Sequence, residues 1–231
     1  MKILCTICAR AGSKGVANKN LRPINSKPLI VYSIEQALAT KIFDHVVVSS
    51  DSAEIRNVAI ANGATHCVER PLEMASDTAP KLPAIRHCVE STEAKFGRFD
   101  VIVDLDATAP LRNPDDIVGA LQLLKTTNAD NVITGTPAHR SPYFNLVEIN
   151  EQGIVHLSKQ PQIAVDRRQD SPKCFDMNAS IYVWRHDALF DNESLFTDNT
   201  RLYVMPRERS IDIDSQTDFE MVEWMMTRGA S

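Results

Sequence analysis

Apolar positions along the chain fall into two alternating rhythms. "KILCTICA", "HVVVSSD", "DVIVDLD" and "NVITGTP" are short, nearly continuous runs rich in β-branched and aliphatic residues, the pattern of strands buried on both faces. "LIVYSIEQALAT", "SAEIRNVAIANG", residues 80–95 and "NPDDIVGALQLLKTT" place apolar residues at helical spacing instead. Ser52 reads as an N-cap with Glu54 in the first turn and Gly63 past the end, and Pro114 sits at the start of its helix. "ATHCVER" adds a short strand. Strands alternating with helices predict a parallel sheet with right-handed crossovers, an α/β doubly wound fold. Ligands of such sheets bind at the carboxyl ends of the strands. That rule gathers the loop after the first strand, Asp51 and the stretch 104–112 at one rim.

The rhythm breaks after about residue 138. "YFNLVEINEQGIVHLSK" reads as a hairpin turning at 151–153, and a polar segment, 160–173, follows it. "ASIYVWR" and "RLYVM" then return as strands. The expected organisation is one domain over 1–231, with 138–173 as an excursion that covers a pocket or pairs with a second subunit.

Composition narrows the classes. The chain has 231 residues with a formal net charge of -5, which argues against broad binding to nucleic acid or an anionic membrane. No apolar stretch nears the roughly 20 residues of a membrane span, and the N-terminus reads as a strand, not a secretory signal. Five scattered cysteines fit a reducing cytoplasm. Cys5 and Cys8 lie on one strand, three apart and so on opposite faces, and read as core residues. The six histidines have no metal spacing, and Trp184 and Trp224 are expected in the core.

Two stretches carry chemistry. "ICARAGSKGVANKN" lacks both the Walker and the G-x-G-x-x-G patterns. Gly12 and Gly15 still allow close backbone approach, and Arg10, Lys14 and Lys19 add charge, so the loop suits a polyphosphate; a solvated basic loop is the plainer alternative. In "SIDIDSQTDF", Asp212 and Asp214 share one side of an extended chain at the end of an apolar strand. Two such carboxylates repel unless a cation lies between them, which suits magnesium; an edge-strand charge pair or a cap on the last helix is the alternative. Asp218 reads as first-turn charge. Arg70 with "ASDTAP", and Asp106, Thr108 and Arg112 in "DLDATAPLR", sit at the same rim as nucleotide or sugar contacts, or as helix caps and a buried aspartate.

"ARAGSKGVANKN", "ERPLEMASDTA", "ATAPLR", "MNASIY" and "SIDID", in that order, resemble the motifs of the CMP-sialic acid synthetases, cytidylyltransferases of nine-carbon keto-sugar acids with a nucleotide-diphospho-sugar transferase-like fold. The resemblance implies attack of the sugar's anomeric hydroxyl on the α-phosphorus of CTP, releasing pyrophosphate. It implies that Ala9, Arg10, Ser13, Lys14, Lys19 and Asn20 hold the triphosphate, with Arg10 and Lys19 catalytic, and that Arg70 and Ala79 frame the cytosine. Asp212 and Asp214 would bind Mg2+. Asp106, Arg140, Asn178 and Arg168 would meet the sugar, Arg168 from the neighbouring subunit of a homodimer. "DATAPLR" stands where sialic acid enzymes read "QPTSPLR", and "PYFN" lacks their usual lysine. Both departures, with "KCFDMNASIY", make the chain most similar to the legionaminic acid branch. Sialic acid, pseudaminic acid and 3-deoxy-manno-octulosonate are the alternative acceptors, and a non-catalytic nucleotide-binding module the alternative class.

Overall fold

The alternation is realised in a computed structural model that describes residues 1–12, 15–76, 78–160 and 167–229, of residues 168 and 229 the backbone alone. β1 (Ile3–Cys8) leads through a long loop to the paired β2 (Pro23–Ile24) and β3 (Lys27–Pro28). Then follow α1 (Leu29–Thr40), β4 (His45–Ser50), α2 (Ala53–Ala61), β5 (His66–Glu69), α3 (Lys81–Phe96), β6 (Val101–Leu105), α4 (Pro114–Thr127) and β7 (Asn131–Pro137). β8 (Val147–Ile149) and β9 (Val155–Leu157) form a separate antiparallel hairpin. β10 (Phe175–Arg185), α5 (His186–Asp191), β11 (Thr200–Val204) and α6 (Gln216–Gly229) complete the order.

The main sheet has seven strands in the order β11-β7-β10-β6-β1-β4-β5. Every neighbouring pair is parallel except those of β10, which runs antiparallel to both β6 and β7. β10 also shifts register against β7 between Met177 and Tyr182, and Ala179 within that irregularity has φ of 51°. The β-branched runs are buried on both faces, as their composition dictates. Ile34, Ile55 and Leu121 from α1, α2 and α4 pack on one face with Ile7, Val48 and Val103. Ile85, Val89 and Leu189 from α3 and α5 pack on the other with Leu4, Val47 and Ile102. A third cluster joins the first loop to α6 through Val16, Ile24, Ile213, Phe219 and Val222.

The helix starts follow their cap chemistry. Ser52 accepts from the Ile55 amide at 3.3 Å, and Asn113 with Asp116 forms a capping box ahead of Pro114. Asp218 is more than solvated first-turn charge: its carboxylate accepts from the Ser215 amide at 2.8 Å while its amide donates to the Ser215 hydroxyl at 3.2 Å. Trp184 is buried, but Trp224 is 56% exposed, contrary to expectation. α6 spends its apolar face, Phe219 and Val222, on the third cluster, and leaves Trp224 under the Arg228 guanidinium, 4.6 Å from the ring centroid.

Within 138–173, the hairpin puts Val147 opposite Leu157 and Ile149 opposite Val155. Side chains two apart on a strand share a face, so these four make one apolar surface, and Val147, Ile149 and Val155 are exposed on it.

Arg112 ties these layers together. Its guanidinium is buried and donates to the Ser180 carbonyl on β10, to the Ser33 hydroxyl and Gln36 on α1, and to the Asp106 carbonyl. Burial lowers its pKa to about 10, against the opposing pull of Asp106 and Asp104. Arg112→Leu strands several buried acceptors and is expected to cost roughly 3–5 kcal/mol, a fall in Tm of about 10 °C for a chain this size. A melt unchanged within 2 °C would show that Arg112 is not the tie.

Candidate active site

The carboxyl ends of β1 and β6 open into a cleft of about 470 Å³, lined by Cys8, Arg10, Gly15, Lys19, Asn20, Asp106, Ala107, Thr108, Asp212 and Asp214. The first loop and the stretch after β6, expected at one rim, share this cavity with Asp212 and Asp214, while Asp51, expected beside them, does not line it. The first loop is fixed from below: the Ala9 amide donates to the Ser49 carbonyl at 3.0 Å, and the Ala11 amide to Asp51 at 2.9 Å. Asn20 donates to the Arg10 carbonyl at 2.9 Å, while its Oδ1 is buried without a partner. A buried acceptor left unpaired on a cleft wall suits a ligand donor. Cys8, read as a core residue, packs half-buried against the second core cluster and also lines the cleft, because β1 ends where the sheet's carboxyl edge opens.

The acidic stretch is not a strand. Residues 211–214 are irregular, running from a 3-10 turn (Arg207–Arg209) to α6. Each end is pinned. Arg209 forms a two-pronged pair with Asp116, at 2.8 and 2.9 Å, which ties the turn to α4. The Ile213 amide donates to the Thr108 carbonyl at 3.0 Å, its side chain is fully buried, and Lys19 donates to its carbonyl. With Ile213 seated inward, Asp212 and Asp214 both face the cleft. Lys19 also pairs with Asp214 at 3.3 Å. A Cβ on Gly15 would lie 1.8 Å from the Asp214 carbonyl oxygen, so only glycine lets the first loop approach this segment.

Charge is dense here. Asp106 accepts from Lys81 at 2.8 Å and from the Thr108 amide and hydroxyl at 3.1 and 2.8 Å. Lys81 also lies 3.0 Å from the fully buried Asp104 and 4.7 Å from the centre of the Tyr182 ring. Burial opposes the ionised state of Asp106, but Lys81 and the Thr108 donors outweigh it and hold the carboxyl well below its usual range. For Lys81 the same balance, burial against two carboxylates, ends in a raised pKa. Thr108 Oγ1 is also hydrogen-bonded to Asp212. One hydroxyl proton cannot serve two carboxylates. Burial first, then the charge of Asp106, raises the Asp212 pKa to about 6, against the Thr108 hydrogen bond.

The remaining expected site residues are placed differently. Asp212 and Asp214 also line a second cavity of about 410 Å³, on whose wall lie Thr136, His139, Asp176, Met177, Asn178, Ala179 and Arg207. Asn178 is engaged within the fold: its oxygen accepts from Thr134 at 2.6 Å and its nitrogen donates to Ser210 at 3.0 Å. Arg140 lines neither of these but a third cavity, about 650 Å³, at the root of the 138–173 segment. Arg70 is buried against Ser49, with donors at 3.0 Å to its carbonyl and 3.3 Å to its hydroxyl; neither Arg70 nor Ala79 lines the cleft. Ser13, Lys14 and the Arg168 side chain lie outside the described residues.

Several participants carry no signal in the sequence. Lys81 reads only as the opening residue of a helix, and its carboxylate partners stand 23 and 25 positions away. Thr136 and His139 come from the end of β7 and just past it, and Arg207 from a turn some 70 residues later. Cys8 could have been found, since the last residue of a strand whose carboxyl end faces a site is a wall position.

The two carboxylates and the neighbouring phosphate-suited cations fit a magnesium ion. The donors are hard oxygens, and among the described residues no group of three or more His, Cys, Asp or Glu could hold a metal by itself. Two carboxylates completed by substrate phosphates and water are the usual magnesium arrangement.

Comparison with known proteins supplies the family. Residues 4–225 match the cytidylyltransferase family model. The chain is 47% identical over 227 residues to the CMP-N,N'-diacetyllegionaminic acid synthase of Campylobacter jejuni, covering 98% of this chain and 95% of that protein. It is 46% identical over 226 residues to the post-translational flagellin modification protein B of Campylobacter coli, covering 97% and 95%. A solved structure of CMP:2-keto-3-deoxy-manno-octonic acid synthetase complexed with CTP shares the fold, with a TM-score of 0.73 at 19% identity over 99% of this chain and 100% of the other. With its loop cations, its paired aspartates and a family match along nearly its whole length, the chain belongs to the cytidylyltransferase family.

Proposed function

We propose that the enzyme transfers CMP from CTP to the anomeric hydroxyl of a nine-carbon keto-sugar acid, with N,N'-diacetyllegionaminic acid as the preferred acceptor. The supporting observation is the meeting of Arg10, Lys19 and Asn20 with Asp212 and Asp214 on one cleft wall. A bond forms between the anomeric oxygen and the α-phosphorus, the bond to the bridging oxygen breaks, and pyrophosphate leaves. The acceptor preference draws on the 47% identical relative that bears the legionaminic name.

In this reading the first loop, with Arg10, Ser13, Lys14 and Asn20, receives the triphosphate. Lys19, held by Ile213 and Asp214, presents its ammonium to the charge that develops on the α-phosphoryl group. Arg70 and Ala79 are assigned to the cytosine by the family resemblance alone, and Asp106, locked by Lys81, orients Thr108 and with it Asp212. A magnesium ion held by Asp212 and Asp214 would neutralise phosphate charge and lower the pKa of the attacking hydroxyl. The 138–173 segment is assigned to dimerisation within a single 1–231 domain, because a lone two-stranded hairpin with an exposed apolar face is unstable in water. Arg140 and Arg168 would then act across or beside that interface. The expected site of action is the cytoplasm, where CTP is made, with no membrane or nucleic-acid partner; among the described residues no helix is long and apolar enough to cross a membrane.

Pyrophosphate release, with each nucleotide crossed against legionaminic, sialic, pseudaminic and octulosonic acids, tests the reading. CTP with the legionaminic acid should give the highest kcat/KM; equal rates across the acids would remove the acceptor assignment. Lys19→Met should lower kcat by about 10²–10³-fold, and a loss confined to KM would deny Lys19 its role in the transfer step. Ile149→Glu with Val155→Glu should convert a dimer to a monomer in light scattering; a wild-type monomer would refute the interface.

The Asp212 carboxyl also makes stability depend on pH. Its folded pKa, about 6, lies above the unfolded value. Its contribution is fully present below about pH 4 and is lost as pH rises through 6. Metal-free Asp212→Asn should therefore be more stable than wild type by about 2 kcal/mol at pH 7.5, a gap that narrows toward pH 4. Urea unfolding at both pH values reads it, and a gap independent of pH would contradict the assignment.

A further inference from the structure

Two sulfur atoms meet beneath the cleft. Cys8 is the last residue of β1, half-buried, and lines the cavity beside Arg10, Lys19 and Asn20. Cys88 is fully buried on α3, in the apolar cluster that Cys8 packs against. Its thiol is hydrogen-bonded to the Cys8 sulfur. The other three cysteines differ: Cys5, Cys67 and Cys174 turn their thiols to the carbonyls of Thr6, Arg56 and Pro172. The transfer reaction gives neither Cys8 nor Cys88 a task.

The two thiols are unequal. Reactive cysteines are partly exposed and lie near positive charge, whereas buried structural ones are inert. Cys8 meets the first description, since Arg10 and Lys19 line the same cleft. Cys88 does not: its hydrogen bond to Cys8, and then burial, push its pKa well up. One thiol is thus open to an oxidant that arrives through the cleft, and a second stands behind it in contact. That is the arrangement of an attacking cysteine and a resolving one.

The end of β1 can also respond. β1 is held on both sides only as far as Thr6, whose pairing with Asp104 is the last on β6. Cys8 is paired with Ser49 of β4 alone. A sulfur–sulfur bond draws Cys8 toward α3, from hydrogen-bond contact to bonding distance. Ala9 and Arg10 follow at once in the chain, and the Arg10 carbonyl is what Asn20 holds, so the base of the first loop shifts with it.

We propose that Cys8 and Cys88 are a redox modification site, which a peroxide converts to a disulfide that disables the cleft. The Cys8 thiolate, its proton released to solvent, attacks one peroxide oxygen. The O–O bond breaks, hydroxide leaves and takes up a proton, and Cys8 becomes a sulfenic acid. The Cys88 sulfur then attacks the Cys8 sulfur. The S–O bond breaks, and the departing hydroxide takes the Cys88 proton. Two thiols and one hydrogen peroxide give one disulfide and two waters; sulfur is oxidised and peroxide reduced. A thiol reductant reverses the link by exchange. A triphosphate on the first loop covers Cys8 and slows the modification, and this clause alone rests on the cleft being the CTP site.

The test treats the full chain with hydrogen peroxide, blocks remaining thiols by alkylation and maps the peptides by mass spectrometry. A Cys8–Cys88 link is expected, with pyrophosphate release lowered by about 10- to 100-fold; dithiothreitol should remove the link and restore the rate. Cys88→Ala, whose residue lines no part of the cleft, should keep the basal rate, form no disulfide and accumulate a Cys8 sulfenic acid that dimedone captures. No Cys8–Cys88 link in wild type, a link that leaves the rate unchanged, or equal dimedone capture in wild type and variant overturns the site. The link is read by mass alone, so its absence sinks the proposal whichever acid the enzyme accepts. With CTP at about ten times its Kd, the link should form about tenfold more slowly. A link that forms as fast under CTP upholds the thiol pair and counts against the cleft as the CTP site.

Discussion

Four carboxylates, Asp104, Asp106, Asp212 and Asp214, are drawn to one edge of the sheet, and their mutual repulsion organises what surrounds them. Lys81 answers the first two, Lys19 the last, and buried Arg112 adds its field from below. Asp212 alone has no cation of its own within ion-pair distance among the described residues, and burial, then the charge of Asp106, raises its pKa. The local fold is thus nearly, and not wholly, neutralised. The residual charge stands where a divalent ion and a triphosphate would meet. A site with all its carboxylates paired would be more stable and would have nothing to offer a metal.

Ile213 gives this charge its direction. A buried residue between two aspartates acts as a keel: its side chain sits in the apolar cluster with Val16 and Phe219, its amide is held by Thr108 and its carbonyl by Lys19. The loop that carries Lys19 thereby also helps to hold the segment it serves, and Gly15 makes the approach possible. The first loop and the aspartate segment are one packed unit although about 200 residues of chain separate them.

The alternating sheet was legible because burial on both faces leaves a plain mark, continuous β-branched runs against helical spacing. The loop and the diacid pair were legible because glycine beside cations, and aspartates two apart, have few purely structural uses. The antiparallel direction of β10 was not, since a buried strand has the same composition in either direction. Nor was the state of Asp106. As a residue at a rim it resembles a sugar contact, and only the fold brings Lys81 to within 2.8 Å and makes it an orienting group for Thr108. Trp224 misled for a related reason: helical spacing identifies an apolar face, but not how much of it the neighbouring elements can cover.

β10 performs two tasks on one strand. From Ile181 to Arg185 it is stitched between β6 and β7 in the middle of the core; from Phe175 to Met177 it pairs only with β7 and borders the second cavity. The irregularity between these halves, with Ala179 in left-handed backbone, breaks the register between them. Side chains in the outer half can therefore be exchanged without sliding the inner half out of the core. The bulge acts as a clutch: a change in the wall of the cavity leaves the strand that anchors it engaged.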